Sequence, residues 1–359
     1  MSIDTKIQWC DSTINPVMGC DGCELFPTTS QILRMIKNQL VASGVKDTPA
    51  VTETIDTAVH GKLATDLYHG RKAIAATVLG TAVGAKNYIS KARIETLARA
   101  IAKPFICYAA ILHLRHGQDS NKPHKRTNKG YAPVFEQVTR FPGRMTTAAS
   151  WPDLRGTLRA DKPRLNGLPR LVFVSDMGDL LSSAIDFQYI RKEVIANVTS
   201  IQGSRHIWLW LTKRPQRMEK FSEWLELQGG CWPDNLVAMT SVTSQKTVGR
   251  VEQLKRVKCR FHGLSVEPLW SAVSLPLSGI DWVIVGGESG ATSSPFLLDW
   301  ARNIRHQCAK SGARFFLKQL GARPVEGASA PKLKDGHGGN WAEWPKDLRV
   351  REVPAAFKK

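Results

Sequence analysis

The chain lacks any run of roughly 18 apolar residues, which excludes a transmembrane helix. Its first residues, MSIDTKIQWCDST, lack the apolar core of a secretory signal. A cytoplasmic protein is therefore expected. Cysteine is scarce and irregularly spaced, at seven in 359 residues, which excludes a secreted disulfide framework. A second C-x2-C pair is also missing. Cys20 and Cys23, in NPVMGCDGCELF, stand alone in that spacing. In a reducing compartment such a pair points to metal or redox chemistry, and its remaining ligands must come from elsewhere in the chain. Acidic side chains are the last shortage: 31 Asp and Glu face 50 Lys and Arg, for a formal net charge of +19.

What is present suits a globular α/β protein of one large or two ordinary domains, with enough chain to bury a sizeable core. The positive charge is unevenly placed. Lys103 to Arg170 holds 13 Lys and Arg against 4 Asp and Glu, and Ala301 to Lys359 holds 13 against 5. One reading is a lysine-rich solvated surface. The sharper one is a polyanionic partner, DNA or RNA, because each neutralised phosphate releases counterions and adds affinity regardless of sequence. The polar, turn-rich stretch RHGQDSNKPHKRTNKG reads as an exposed loop. It offers Lys122, Lys125, Arg126 and Lys129 as phosphate contacts.

After residue 170 the pattern becomes regular. RLVFVSDMGDLL, HIWLWLTKRPQRM, NLVAMTSVTS, RFHGLSVEPLW, DWVIVGGESG and ARFFLKQLG each begin with a short apolar run bounded by polar or turn residues. Such runs are strands buried on both faces. Helix-like stretches such as Gln188 to Ser200 and Leu298 to Ser311 separate them, so a parallel sheet is expected. A first strand near Lys6 to Trp9 brings the count to about seven, which suits a full or partial TIM-type (β/α) barrel. Each run ends in polar residues: Asp176 with Asp179, Lys213 with Arg214, Thr240 with Ser241, Glu267, Glu288, and Lys318 with Gln319. Catalytic barrels carry their chemistry at these strand ends. Singly, each residue could equally cap a helix or start a turn.

Residues 24–106 break the rhythm. SQILRMIKNQLVASG, TETIDTAVHGKLATDLYHG and SKARIETLARAIAK show helical apolar spacing, and TPAVTET offers helix-start residues near Thr52. The expected organisation is a first strand and loop over 1–23 and a helical insertion over 24–106. The remainder of the α/β barrel covers 107–323, and a basic C-terminal extension covers 324–359.

The insertion ends at KPFICYAAILHLRHG. The combination of GC-x2-C with a later CYA resembles a phage- and plasmid-borne family of undefined function that looks like a branch of the radical S-adenosylmethionine (SAM) superfamily. TKIQWCDSTINPVMGC, VFVSDMGDLL, LTKRPQRM, SVEPL, DWVIVGGESG and FFLKQLG are similar to that family's recurrent blocks. The resemblance implies a barrel of the radical SAM kind with the helical insertion in its cluster loop. It implies that Cys20, Cys23 and Cys107 hold a [4Fe–4S] cluster, although their spacing departs from the usual C-x3-C-x2-C. Three thiolates leave one iron for the amino and carboxylate groups of SAM, whose cleavage yields a 5′-deoxyadenosyl radical. Gly286, Gly287 and Glu288 resemble the Gly-Gly-Glu element that contacts the SAM amino group, and Asp176 is a rival for that contact. Glu267, Lys213 and Lys318 are candidate catalytic residues. Lys213, Arg214 and Lys318 could meet phosphate or the SAM carboxylate. An electron donor such as flavodoxin or ferredoxin is implied.

The function expected is radical modification or repair of a nucleic acid. The alternatives are a non-catalytic nucleic-acid-binding protein with a structural zinc or iron–sulfur site, and a radical SAM enzyme acting on a peptide or protein. For zinc, His113 or His116 is the candidate fourth ligand. Unliganded buried thiols are a third possibility for the cysteines. The flanks of Cys10 suggest strand packing, and Cys231, Cys259 and Cys308 read as small core residues or bystanders. Trp9 could stack on a base or adenine, or pack in the core.

Overall fold

Each apolar run after residue 170 forms a strand because both of its faces are covered. The strands are β2 (Leu171–Val174), β3 (Ile207–Thr212), β4 (Leu236–Ser241), β5 (His262–Val266), β6 (Trp282–Gly286) and β7 (Arg314–Gln319). They are joined by β1 (Ser12–Ile14) in a seven-stranded parallel sheet whose spatial order is the chain order. The sheet curls into a half-barrel. This computed structural model describes residues 2–26, 107–116, 130–290 and 293–358, with six scattered positions from 28 to 42. The helical module expected over residues 24–106 and the phosphate-binding loop expected at Lys122, Lys125, Arg126 and Lys129 lie almost wholly outside the described residues. Among the described residues no helix is long and apolar enough to cross a membrane.

The chain divides into two units. The first, Met1–Pro16 with Phe141–Leu181 and Ile185–Lys359, holds the sheet; the second, Val17–Arg140 with Ser182–Ala184, holds the cysteine loop. The break at 140/141 assigns residues 107–140 to the cysteine unit, and residues 324–359 belong to the sheet unit.

In the sheet unit, alternate residues of successive strands build one core: Leu171 and Phe173, Ile207 and Leu209, Val237 and Met239, Trp282 and Ile284, and Phe316. Trp9 joins this core, tilted on Phe173 at 4.7 Å and edge-on to Trp282 at 6.4 Å. It is 2% exposed, so core packing is the role it fills. The stretch Lys6 to Trp9 is not the first strand. That strand is β1, a few residues further on, and its Ser12, Thr13 and Ile14 pair with Val172, Phe173 and Val174. Its register is held by polar groups. Asp11 accepts the Leu171 N–H at 2.9 Å and the Arg159 guanidinium at 2.7 and 3.2 Å, and both charges are buried.

The helices pack by their apolar stripes. Helix α2 (Pro215–Leu227) buries Met218, Phe221 and Leu225, with Phe221 edge-on to Trp210 at 5.7 Å. Helix α3 (Gly249–Leu254) buries Val251 and Leu254. Helix α4 (Leu298–Ser311) matches the boundaries read from the sequence, buries Leu298, Ala301, Ile304 and Cys308, and stops at Gly312 in the left-handed region.

Much of the positive charge is structural. Besides Arg159, Lys162 donates to the carbonyls of Thr5 and Cys10, and Arg170 to those of Pro152 and Ile3. Near the C-terminus Arg302 pairs with Asp299, Glu326 and Asp347. Arg351 donates to the carbonyls of Leu317 and Lys318, and its guanidinium lies 4.7 Å from the Trp344 ring. Phe357 closes the same core, edge-on to Phe261 and Trp282. Residues 324–359 thus pack within the sheet unit.

Candidate functional site

In the cysteine unit, Val17–Met18 pairs antiparallel with Thr139–Arg140. Gly19, at φ +93°, then turns the chain; a Cβ there would lie 2.7 Å from the Gln137 carbonyl and 2.8 Å from that of Phe135. This close approach seats Cys20, whose N–H donates to Phe135 O at 2.7 Å. Cys23 and Phe26 exchange backbone hydrogen bonds at 3.0 and 3.1 Å, closing the C-x2-C loop into a hook. The third cysteine comes to that hook: the Cys107 N–H donates to Leu25 O at 3.1 Å. Helix α1 (Tyr108–His116) begins at the next residue.

The three thiols interact. Hydrogen bonding to Cys23 comes first among the causes that push the Cys20 thiol far above its ordinary range, followed by burial and by the charges of Cys23 and Cys107. The Gly22 N–H approaches Cys20 Sγ at 3.4 Å. Among the described residues no group of three or more His, Cys, Asp or Glu side chains stands in a metal-holding arrangement. As placed, the three are a hydrogen-bonded thiol pair with a third thiol in electrostatic reach. Their chemistry fits a soft metal centre, with three sulfur donors of which one is buried and has a backbone N–H directed at it. The raised Cys20 pKa reflects the hydrogen bond to Cys23 first and burial second, with the charges of the other two thiols adding to both. His113 is buried with Nε2 2.7 Å from Ala132 O, so its ring ties α1 to the segment before Phe135. The side chain of His116 lies outside the described residues. Burial pushes the thiols of Cys259 and Cys308 up to about 12 and that of Cys10 higher still. Cys231 is exposed.

The second set lies on the sheet unit, at the carboxyl ends of the strands. After β1, the Asn15 amide donates to the Asp176 carboxylate and accepts the Met177 N–H at 2.8 Å. Asp176 follows Ser175, whose φ of 70° is unusual for a residue other than glycine. After β3, Lys213 is positioned by its backbone: its N–H donates to Asp179 at 3.0 Å, beside the Thr212 hydroxyl at 2.9 Å. Asp179 also pairs with Arg214 at 3.4 Å, so it organises this turn.

Glu267 after β5 meets Lys318 of β7 at 3.1 Å, and the Ser265 hydroxyl donates to its other oxygen at 3.2 Å. Lys318 reaches across because β7 slips register between Leu317 and Gln319 against β6, a bulge that re-aims the side chain. Gly286 leaves room beneath the pair; a Cβ there would lie 2.6 Å from Glu267 Oε1. Glu288 is buried and accepts from Trp270 Nε1 at 3.2 Å and the Ser294 N–H at 3.1 Å. Gly287 lies against backbone, where a Cβ would meet Leu320 O at 2.3 Å. Gly287→Ala should therefore destabilise the protein by about 1–3 kcal/mol in urea unfolding, because neither backbone can give way cheaply. Gly249→Ala, where nothing lies within 4 Å, is the comparator and should cost nothing.

The candidate residues thus fall into three groups. Glu267, Lys318 and Gly286 are in direct contact, with Gly287 and Glu288 on the next residues of the same turn. Asp176 and Lys213 belong to the neighbouring strand ends, each with its own partners, and Cys20, Cys23 and Cys107 belong to the other unit. Sequence reasoning missed Asn15 and Ser265. Asn15 had a signal, standing where the first strand's polar terminus falls once that strand is placed at Ser12–Ile14. Ser265 had none, since it lies inside an apolar run.

The fold and these sites define a mixed α/β protein whose parallel half-barrel sheet carries acids and bases at its carboxyl edge, with a three-thiol loop in a separate unit. The chain belongs to the family described as Protein of unknown function (DUF5131), whose model matches residues 77–345. No curated protein and no solved structure matches it.

Proposed function

We propose that this protein is a radical-SAM-type enzyme that modifies or repairs a nucleic acid in the cytoplasm, with its sheet a partial TIM-type barrel. Cys20, Cys23 and Cys107 would hold a [4Fe–4S] cluster, and SAM would be the second cofactor. The observation that carries the reading is the return of Cys107 to the C-x2-C hook through its hydrogen bond to Leu25 O. A [4Fe–4S] cluster ordinarily takes four thiolates, so three leave one iron open. Bound there, the cluster would supply the electron for reductive cleavage of SAM, drawn from a donor such as flavodoxin or ferredoxin.

The chain's own residues divide the remaining work. Asp176, at the end of β2, and Glu288, next to the Gly286–Gly287 turn, are the two carboxylates offered to the SAM amino group. Lys213 offers its ammonium to the SAM carboxylate or a phosphate. Glu267 and Lys318, already 3.1 Å apart, form a proton-holding couple at the sheet's carboxyl edge. Protein loaded anaerobically with iron and sulfide and reduced with dithionite should form 5′-deoxyadenosine from SAM. Fully loaded protein that forms none would overturn the reading.

A further inference from the structure

The loops after β3 and β4, with the first turns of α2 and α3, enclose an open cleft of about 510 Å³ in the sheet unit. Six basic residues line it: Lys213, Arg214, Arg217, Lys220, Lys246 and Arg250. Among the described residues that line it none is acidic and none is aromatic; the others are proline, glutamine, threonine and glycine. We propose that this cleft is a docking groove for the phosphodiester backbone of a nucleic acid. The inference deepens the reading above and rests on it for the class of substrate.

Three observations carry it. First, Arg217, Lys220 and Lys246 gather like charge in one concavity beside the Asp179-paired Arg214, and low-dielectric walls concentrate the field, so the arrangement favours a polyanion. Second, Arg217 is tethered through a carbonyl, which fixes its guanidinium and leaves the charge in place: it donates to Ile185 O at 2.6 Å and lies 4.9 Å from the Phe187 ring centre. Lys220 and Lys246 are exposed at the cleft's rim, where a phosphate can reach them. Third, α2 opens into the cleft with Pro215 as its first residue, no acid in its first turn and no side-chain cap. The positive end of a 13-residue helix thus adds to the same field.

The chemistry of the lining also sets the mode of binding. Lysines and arginines without aromatic rings contact phosphates and do not stack bases, so binding should show little sequence preference. The cleft adjoins Thr212 and Ser241, the last residues of β3 and β4, at the edge of the sheet that carries Glu267 and Lys318. A strand lying in it is held at the edge where the candidate chemistry stands. The basic stretches 103–170 and 301–359 suggested other surfaces, but their Arg159, Lys162, Arg302 and Arg351 are engaged within the fold.

The test is fluorescence-anisotropy titration of the full chain with labelled duplex and single-stranded oligonucleotides over a range of salt. It is run on wild type, Lys220→Ala/Lys246→Ala and Lys220→Glu/Lys246→Glu. The wild type should bind with log K falling linearly in log salt. The alanine pair should lessen the slope by about 0.9 for each duplex phosphate it no longer neutralises, or about 0.7 on a single strand. The glutamate pair should weaken binding further, with melting temperature unchanged. Oligonucleotide binding unaltered by either pair would overturn the proposal. So would tripolyphosphate or poly-glutamate binding as tightly as the oligonucleotide, which would make the cleft a small-anion or acidic-peptide site. The same titration on cluster-free protein separates this inference from the enzymatic reading. Cleft-dependent binding without 5′-deoxyadenosine formation overturns the enzyme and keeps the groove. Turnover of SAM without such binding overturns the groove.

Discussion

Cys107→Ala protein reconstituted anaerobically with iron and sulfide is expected to be colourless, as are Cys20→Ala and Cys23→Ala. Wild type, Cys231→Ala and Cys308→Ala should be brown and carry on the order of four irons per chain. The expectation follows from the thiols' surroundings. Cys20 is buried, hydrogen-bonded to Cys23 and within electrostatic reach of Cys107, whereas Cys308 sits apart on α4 with its thiol pushed up to about 12 by burial. Among the described residues of the cysteine unit there is no fourth thiol to replace a lost one. The direction of the Cys20 shift adds a pH dependence. A thiol whose pKa is raised is protonated at neutral pH and must lose that proton to ligate, so loading should release protons and improve as pH rises. Retention should fall on acidification, which visible absorbance follows. Three cysteine variants as brown as wild type would remove the cluster from this loop. A wild type that takes zinc with no iron would leave a structural metal in its place.

Arg159→Ala is expected to lower stability by about 3–5 kcal/mol, since it strands the buried Asp11 carboxylate without its counter-charge. The guanidinium also donates to the carbonyls of Leu168 and Pro169 at 3.1 Å, and those acceptors lose their partner too. Asp11 in turn holds the Leu171 N–H, so the damage reaches the pairing of β1 with β2 at the sheet's edge. Arg155→Ala is the control. Its pair with Asp153 is at 2.9 Å but half exposed, and such a pair contributes no more than about 1 kcal/mol. Urea midpoints of the two variants would decide it. An Arg159→Ala loss no larger than that of Arg155→Ala would show that the N-terminal strand is not anchored through this pair.

The sequence by itself determined the six later strands, the parallel sheet and helix α4, for a local reason. A strand covered on both faces must be apolar at every position, and a helix resting on a sheet must be apolar every three or four residues. Both demands are met within a few neighbouring residues, so the pattern is legible without the fold. β1 escaped that reading because Ser12 and Thr13 are polar; its place is held by Asp11 and Arg159, 148 residues apart. The meaning of the charge was hidden for the same kind of reason. A count of lysines and arginines is a sum along the chain, whereas engagement depends on what lies beside each side chain. Arg159, Arg302 and Arg351 therefore counted in the sequence as surface charge. The candidate sites were legible as residue types at strand ends and as a C-x2-C pair with a later cysteine. Their partnerships were not. Lys318 meets Glu267 through a register slip in β7, Cys107 returns to Cys23 through one backbone hydrogen bond to Leu25, and the basic cleft is assembled from two loops that follow different strands. Contacts between residues distant in sequence are set by the closure of the whole chain, and only the tertiary structure could decide them.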